Sequence, residues 1–114
     1  FESSDEYIFL KNMEKTDLPT IVLAHMPDTF IFNGAHNYWS NIDLVVSGHT
    51  HGGVIRLPIA GGLYSPMQGF FPEYDYGFYM LGEKMKMVIT SGLSGYKFIP
   101  RFLNLPEICV LNLE

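Results

Sequence analysis

The chain is 114 residues long, 47% hydrophobic and 17% charged, with a formal net charge of −5. That length suits one core rather than two, and the composition excludes a disordered segment. With no basic stripe anywhere, an electrostatic grip on long nucleic acid is excluded as well.

Ser3 and Glu6 have capping-box spacing, and Tyr7, Leu10 and Met13 follow at near-helical intervals, so a helix is predicted over about 4–15, ending before Pro19. Thr20-Ile21-Val22-Leu23-Ala24 has no polar face and reads as a strand buried on both sides. Pro27-Asp28-Thr29 offers a helix start, with Asp28 or Thr29 as cap and the helix running to about Asn37. Asp43 to Ser47 is a second buried strand, with Asp43 ending the turn before it, and the order helix, strand, helix, strand predicts two parallel neighbours in an α/β layer. Ile55-Arg56-Leu57 is short and extended, and Gly61-Gly62 marks a break. Tyr76–Leu81 and Lys84–Thr90 read as a hairpin turning at Gly82-Glu83, the second strand with one wet face, so the sheet becomes mixed. Glu107–Leu113 reads as a last strand. It contains the single cysteine, Cys109, which excludes an intrachain disulfide and reads as an inert core residue.

No apolar stretch approaches the ~20 residues needed to span a bilayer. The sequence opens at Phe1 rather than Met and carries no signal-peptide pattern, so it reads as a trimmed or processed piece.

Three of the four histidines follow predicted buried strands: His25 after Thr20–Ala24, and His49 and His51 after Leu44–Ser47. The carboxyl ends of neighbouring parallel strands form the usual ligand crevice, so two strands would deliver three imidazoles to one edge. Imidazole is the commonest protein ligand for zinc-like cations. On an extended backbone, His49-Thr50-His51 would point both rings the same way. Gly48 and Gly52-Gly53 allow tight turning on either side. His36 sits near a helix end, where a cation is favoured, and is not a candidate ligand. Residues 70–79 hold six aromatics, which read first as core and hairpin packing and second as an apolar lip for a lipid-like or nucleobase-bearing substrate. Arg56 and Arg101 have the chemistry to hold phosphate oxygens, and Arg56 is the candidate substrate contact.

Asp43-Leu44-Val45-Val46-Ser47-Gly48-His49-Thr50-His51-Gly52-Gly53 resembles the last signature of the calcineurin-like metallophosphoesterases. Leu23-Ala24-His25-Met26-Pro27-Asp28 resembles the His-x-Pro segment that precedes it in that family. Ser91-Gly92-Leu93, Pro100-Arg101-Phe102-Leu103-Asn104 and Pro106-Glu107-Ile108 resemble the tail of one bacterial branch, whose members often carry a membrane anchor or export signal. Val54 departs from the pattern, since many relatives have Gln there. The resemblance implies an α/β fold, with residues 1–114 as the C-terminal part of a four-layer α/β/β/α sandwich, half of it, built as a mixed sheet with flanking helices. It implies two divalent cations of Mn, Fe, Zn or Mg type in the whole enzyme, about 3.5–4 Å apart, holding a hydroxide that attacks phosphorus in line. His25 and His49 match ligands of the second metal and His51 a ligand of the first.

The family's Asp-x-His, Gly-Asp-x-x-Asp and Gly-Asn-His-Asp/Glu motifs are absent from these residues. Asp28, Asp43 and Asp75 do not replace them by motif, so no side chain here is assigned a catalytic role beyond ligation. One cation or none is expected on this chain alone, and the chain alone is expected to be inactive. The expected substrate of the whole enzyme is small and phosphorylated, lipid- or nucleotide-linked. Half a sandwich would also bare an apolar sheet face, favouring a homo-oligomer. The competing reading is a non-catalytic metal-binding or self-associating module. The branch points to a membrane-associated or exported protein, a cytoplasmic one being the alternative.

Overall fold

The computed structural model of the chain describes residues 4–95 and 98–114. Helix α1 spans Asp5–Met13, and its cap is Ser4, whose Oγ accepts the Tyr7 amide at 3.2 Å. Ser3 of the expected capping box lies outside the described residues. Strand β1 is Ile21–Leu23 and β2 is Leu44–Ser47; they pair in parallel, Ile21 opposite Leu44, as expected. Between them the single expected helix is two short ones, α2 at Asp28–Ile31 and α3 at Ala35–Tyr38. The break is Gly34, at φ 68°, a left-handed turn that no helix accommodates. The cap of α2 also differs: Pro27 occupies that position, and the Asp28 side chain makes no capping bond.

After β2 comes a 3₁₀ turn at His51–Gly53, then two short antiparallel pairs: β3 (Arg56–Leu57) with β4 (Gly61–Gly62), and β5 (Tyr64–Ser65) with β6 (Gly69–Phe70). The two glycines expected to interrupt the chain thus form a strand. Strands β7 (Gly77–Leu81) and β8 (Met85–Ile89) make the expected antiparallel hairpin. Strand β8 inserts beside β2, in parallel, to give one mixed sheet ordered β1-β2-β8-β7.

Cross-strand partners fix the two faces. Val22, Val45, Met87 and Tyr79 are in register on one face. Together with Phe30, Ile42, Leu81, Met85 and Ile89 they form the core, closed by Met13 of α1, Ile31 of α2 and Ala35 of α3. The opposite face carries Ile21, Leu23, Phe78 and Met80, all exposed. The expectation that β1 is buried on both sides therefore fails on one side: Ile21 is 46% and Leu23 82% exposed. Lys86, on this same face, supplies the wet side expected of β8.

Residues 107–114, mostly exposed, share open clefts with Ile21, Leu44, Phe78 and Val88 of this face. They form no strand, contrary to expectation. Cys109 is accordingly exposed, not a core residue. The open face leaves a radius of gyration of 15.2 Å, against about 13 Å for a compact domain of this length.

Candidate metal centre

The carboxyl ends of β1 and β2 lie side by side, held there by the Gly48 amide donating to the His25 carbonyl at 3.2 Å. That contact brings two imidazoles together. His49 Nδ1 and His25 Nε2 are 3.0 Å apart, with ring centroids at 4.8 Å in an edge-on arrangement.

The loop that follows is not extended. His49 (φ 66°), His51 (φ 51°) and Val54 (φ 58°) all adopt left-handed backbone conformations, which cost a non-glycine residue roughly 1–2 kcal/mol each. The expectation of two parallel rings on a straight segment is thus corrected: the histidines project from a tight turn. Thr50, between them, points inward, is fully buried, and donates its hydroxyl to the Asp75 carbonyl at 2.7 Å. Such strain persists only where neighbours over-determine it, and they do so here from three sides. Arg56 Nη1 donates to the Gly52 carbonyl at 3.0 Å and to Asp75 Oδ2 at 2.8 Å. Asp75 Oδ2 also accepts the Gly62 amide at 2.8 Å, tying in β4. From the tail, Asn104 Nδ2 donates to the carbonyls of His51 (2.6 Å) and Val54 (2.9 Å). Arg101 locks Asn104 in turn, donating to its Oδ1 and its carbonyl and to the carbonyls of Ser91, Ser94 and Leu105. Gly53 (φ 75°) is required because any Cβ there would collide with the Gly62 backbone.

His51 turns elsewhere: its Nδ1 lies 3.4 Å from the Ser94 carbonyl. The structure therefore puts His25 and His49 in direct contact, while the Nδ1 of His51 faces the Ser94 carbonyl. Among the described residues no three His, Cys, Asp or Glu side chains converge on one point. His36 is a structural tie, with Nδ1 2.6 Å from the Phe30 carbonyl.

Burial pushes the His49 imidazole below its ordinary pKa, and His25 and His51 push the same way, while the charge of Asp28 opposes them. A neutral imidazole is the form that ligates. The 3.0 Å separation is that of a hydrogen bond between the rings, and it also lies between the separations expected of two nitrogens each about 2.0–2.1 Å from one ion, about 2.9 Å at a right angle and about 3.3 Å at the tetrahedral angle. The donor set therefore fits two adjacent ligands of one divalent metal.

Arg56 lies on the rim of a cleft of about 520 Å³ shared with Tyr76, Ser91, Asn104 and Glu107. Its guanidinium stands 5.2 Å from the centre of the Tyr76 ring. A second, smaller pocket of about 220 Å³ behind the turn is apolar, lined by Val54, Ile55, Leu63, Tyr64 and Phe70. The aromatic run divides: Tyr74 and Tyr79 pack against the core, whereas Phe70, Phe71 and Phe78 are exposed.

Asp75, which helps hold the turn, carried no distinguishing signal in the sequence, and Thr50 stood out only as part of the Gly-His-Thr-His-Gly-Gly resemblance. For Asn104 the only hint was its place in the tail resemblance.

No family model matches the chain, and no solved structure matches it. Among curated proteins it is similar to the UDP-2,3-diacylglucosamine pyrophosphatase LpxG of Chlamydia muridarum, 37% identical over 83% of this chain and 29% of that protein. It is similar to the uncharacterized metallophosphoesterase YkuE of Bacillus subtilis, 35% identical over 83% of this chain and 31% of that one. A bovine transmembrane protein with a metallophosphoesterase domain is 33% identical over 86% of this chain and 20% of its own length. The chain thus spans less than a third of these relatives. Among its described residues no helix is long and apolar enough to cross a membrane.

Proposed function

Because this chain belongs to the calcineurin-like metallophosphoesterase family, we propose that it supplies the histidine half of a two-metal phosphohydrolase site. His25 and His49 would ligate one divalent cation through Nε2 and Nδ1, and His51 would ligate the second. The metals, of Mn, Fe, Zn or Mg type, supply Lewis-acid activation of water and neutralisation of phosphoryl charge. The residues of this chain orient that chemistry. Burial favours the neutral form of His49, and the Asn104–Arg101 clamp fixes the carbonyls on either side of the turn. The observation that carries the reading is the His25–His49 pair, 3.0 Å apart at the ends of two parallel strands.

Three imidazoles bring no negative charge, and two adjacent dications repel each other. Carboxylates from outside these residues are needed, so the 114-residue chain alone is inactive in this reading. The substrate of the whole protein is a small phosphorylated molecule, lipid- or nucleotide-linked. Support comes from the apolar pocket beside the turn and from the Chlamydia relative, named for a UDP-linked diacyl sugar. The bovine relative's name and the branch resemblance favour membrane association of the whole protein. Arg56, with Nη1 committed to Asp75 and Gly52, would meet phosphate oxygens through its other nitrogens.

The test is hydrolysis of bis(p-nitrophenyl) phosphate with added Mn²⁺ by the complete protein. His49→Ala should abolish turnover. An unchanged rate would refute the assignment, and robust turnover by residues 1–114 alone would refute the division of the site.

A further inference from the structure

We propose that the β3–β4 and β5–β6 hairpins, with the tail at 98–102, form one face that docks on an anionic lipid surface. This rests on the membrane association proposed above for the whole protein, gives it a place on this chain, and is independent of the histidine ligands.

The three segments are stitched side by side. The Leu63 amide donates to the Ile55 carbonyl at 2.7 Å, the Phe71 amide to the Leu63 carbonyl at 2.8 Å, and the Arg56 amide to the Phe102 carbonyl at 3.0 Å. Phe70 and Ile99 line the same apolar pocket behind the His51–Gly53 turn. What these segments present outward is apolar: Ile59 and Phe98 are fully exposed, and Met67, Phe70 and Phe102 are each more than half exposed. Single apolar side chains are ordinary on a surface, but a group of them marks a contact site. Ile59 is held out at a cost. The Ala60 amide donates to the Pro58 carbonyl at 2.9 Å across Ile59, whose φ is 73°. That is a three-residue turn of the strained hand, where a β-branched residue is a genuine outlier. Glycine or asparagine would hold such a turn more easily, and neither would carry an apolar side chain into solvent.

Charge selects the partner. The chain has 12 acidic residues and a net charge of −5, yet the stretches 44–72 and 84–106, from which this face is drawn, contain no Asp or Glu. Asp75, which reaches the Gly62 amide of β4, is buried and paired with Arg56. Arg101 gives its donors to carbonyls and an amide oxygen, and no carboxylate among the described residues pairs with it, so its charge stays uncompensated. An apolar face in an acid-free, basic surround is complementary to anionic lipid. A second copy fits less well, since a two-fold contact would lay the same positive charges against each other.

Co-sedimentation of the 114-residue chain with lipid vesicles, in EDTA and low salt, tests this. Vesicles of phosphatidylcholine and phosphatidylglycerol in equal parts should be bound at least about fivefold more tightly than phosphatidylcholine alone. Ile59→Gly and Phe70→Ser should each weaken that binding about tenfold. The melting temperature of Ile59→Gly should be unchanged or higher, because the turn strain is relieved, so its loss of binding cannot be put down to unfolding. Leu23→Ser, on the bare sheet face, should bind as wild type does. Equal binding to the two vesicle types, or binding by folded Ile59→Gly within threefold of wild type, would overturn the proposal. So would a loss in Leu23→Ser alone, which would move the lipid contact to the sheet face, or a dimer abolished by Ile59→Gly with no vesicle binding, which would make a second copy the occupant. None of these results bears on hydrolysis by His49→Ala, so the metal site and the lipid face stand or fall separately.

Discussion

Replacing Asn104 by alanine tests whether the tail holds the ligand turn. Its Nδ2 donates to the His51 and Val54 carbonyls, and its Oδ1 accepts from Arg101 at 3.1 Å. The residue is 5% exposed, so water cannot readily replace these bonds. At about 1 kcal/mol net for each of three hydrogen bonds, with a further cost for carbonyls left unpaired, the loss should be roughly 3–4 kcal/mol. That is a large share of the 5–15 kcal/mol typical of a folded domain. The left-handed conformations at His51 and Val54 would lose their restraint and relax. Urea denaturation followed by tryptophan fluorescence reads the change as a lower midpoint at constant slope. Asn104→Asp sharpens the comparison: it keeps the shape and the bond from Arg101, but turns an acceptor toward two carbonyls. It should be at least as damaging as alanine. A loss below about 1 kcal/mol for alanine, or near-wild-type stability for aspartate, would show that the tail is not what holds the turn.

Further predictions follow from the packing. Gly53→Ala, which drives a methyl into the Gly62 backbone at a left-handed position, should cost at least about 2 kcal/mol and lower the melting temperature by several degrees; an unchanged melting curve would count against that close approach. The Thr20 amide, and behind it Lys84, hold the Asp43 carboxyl below its ordinary pKa. Its folded value thus lies below the unfolded one, so its contribution to stability is complete above about pH 4 and is lost as pH falls through the folded value. Asp43→Asn should flatten the fall in melting temperature between pH 5 and pH 3, and parallel curves for the two proteins would refute this role. The bare face of Ile21, Leu23, Phe78 and Met80 should make the isolated 114-residue chain self-associate. Light scattering on eluting peaks reads the mass, and a monomer at every concentration would end that expectation.

Much of this architecture is readable in residue order. Apolar strand runs, the glycine-bounded hairpin and the placement of His25 and His49 beyond neighbouring parallel strands all depend on local pattern, and the structure keeps them. What escaped depends on contacts distant in sequence. Nothing near β1 tells that Leu23 lacks a covering layer. An aspartate after proline looks like a cap until the helix is seen to start one residue earlier. The His-Thr-His segment looks extended because its bend is imposed by Asp75 and Asn104, the latter 53 positions beyond His51. Arg101 looks like a phosphate ligand because only the folded chain shows its donors spent on carbonyls.

The span between the turn and its clamp also bears on the order of folding. The β7–β8 hairpin closes locally, but β8 must then dock beside β2 from 42 positions away, Leu44 meeting Lys86. The tail must close a loop of 53 residues to bring Asn104 to His51, an entropic cost of about 3.5 kcal/mol on the logarithmic scaling alone. Docking β8 beside β2 costs about 3.3 kcal/mol on the same scaling, so the sheet and the clamp face closures of similar size. During synthesis from the N-terminus, His49 and His51 emerge before Asn104 and Arg101, so the turn takes its final shape only once the tail is added, and amide exchange should find the turn opening while β2 and β8 stay protected.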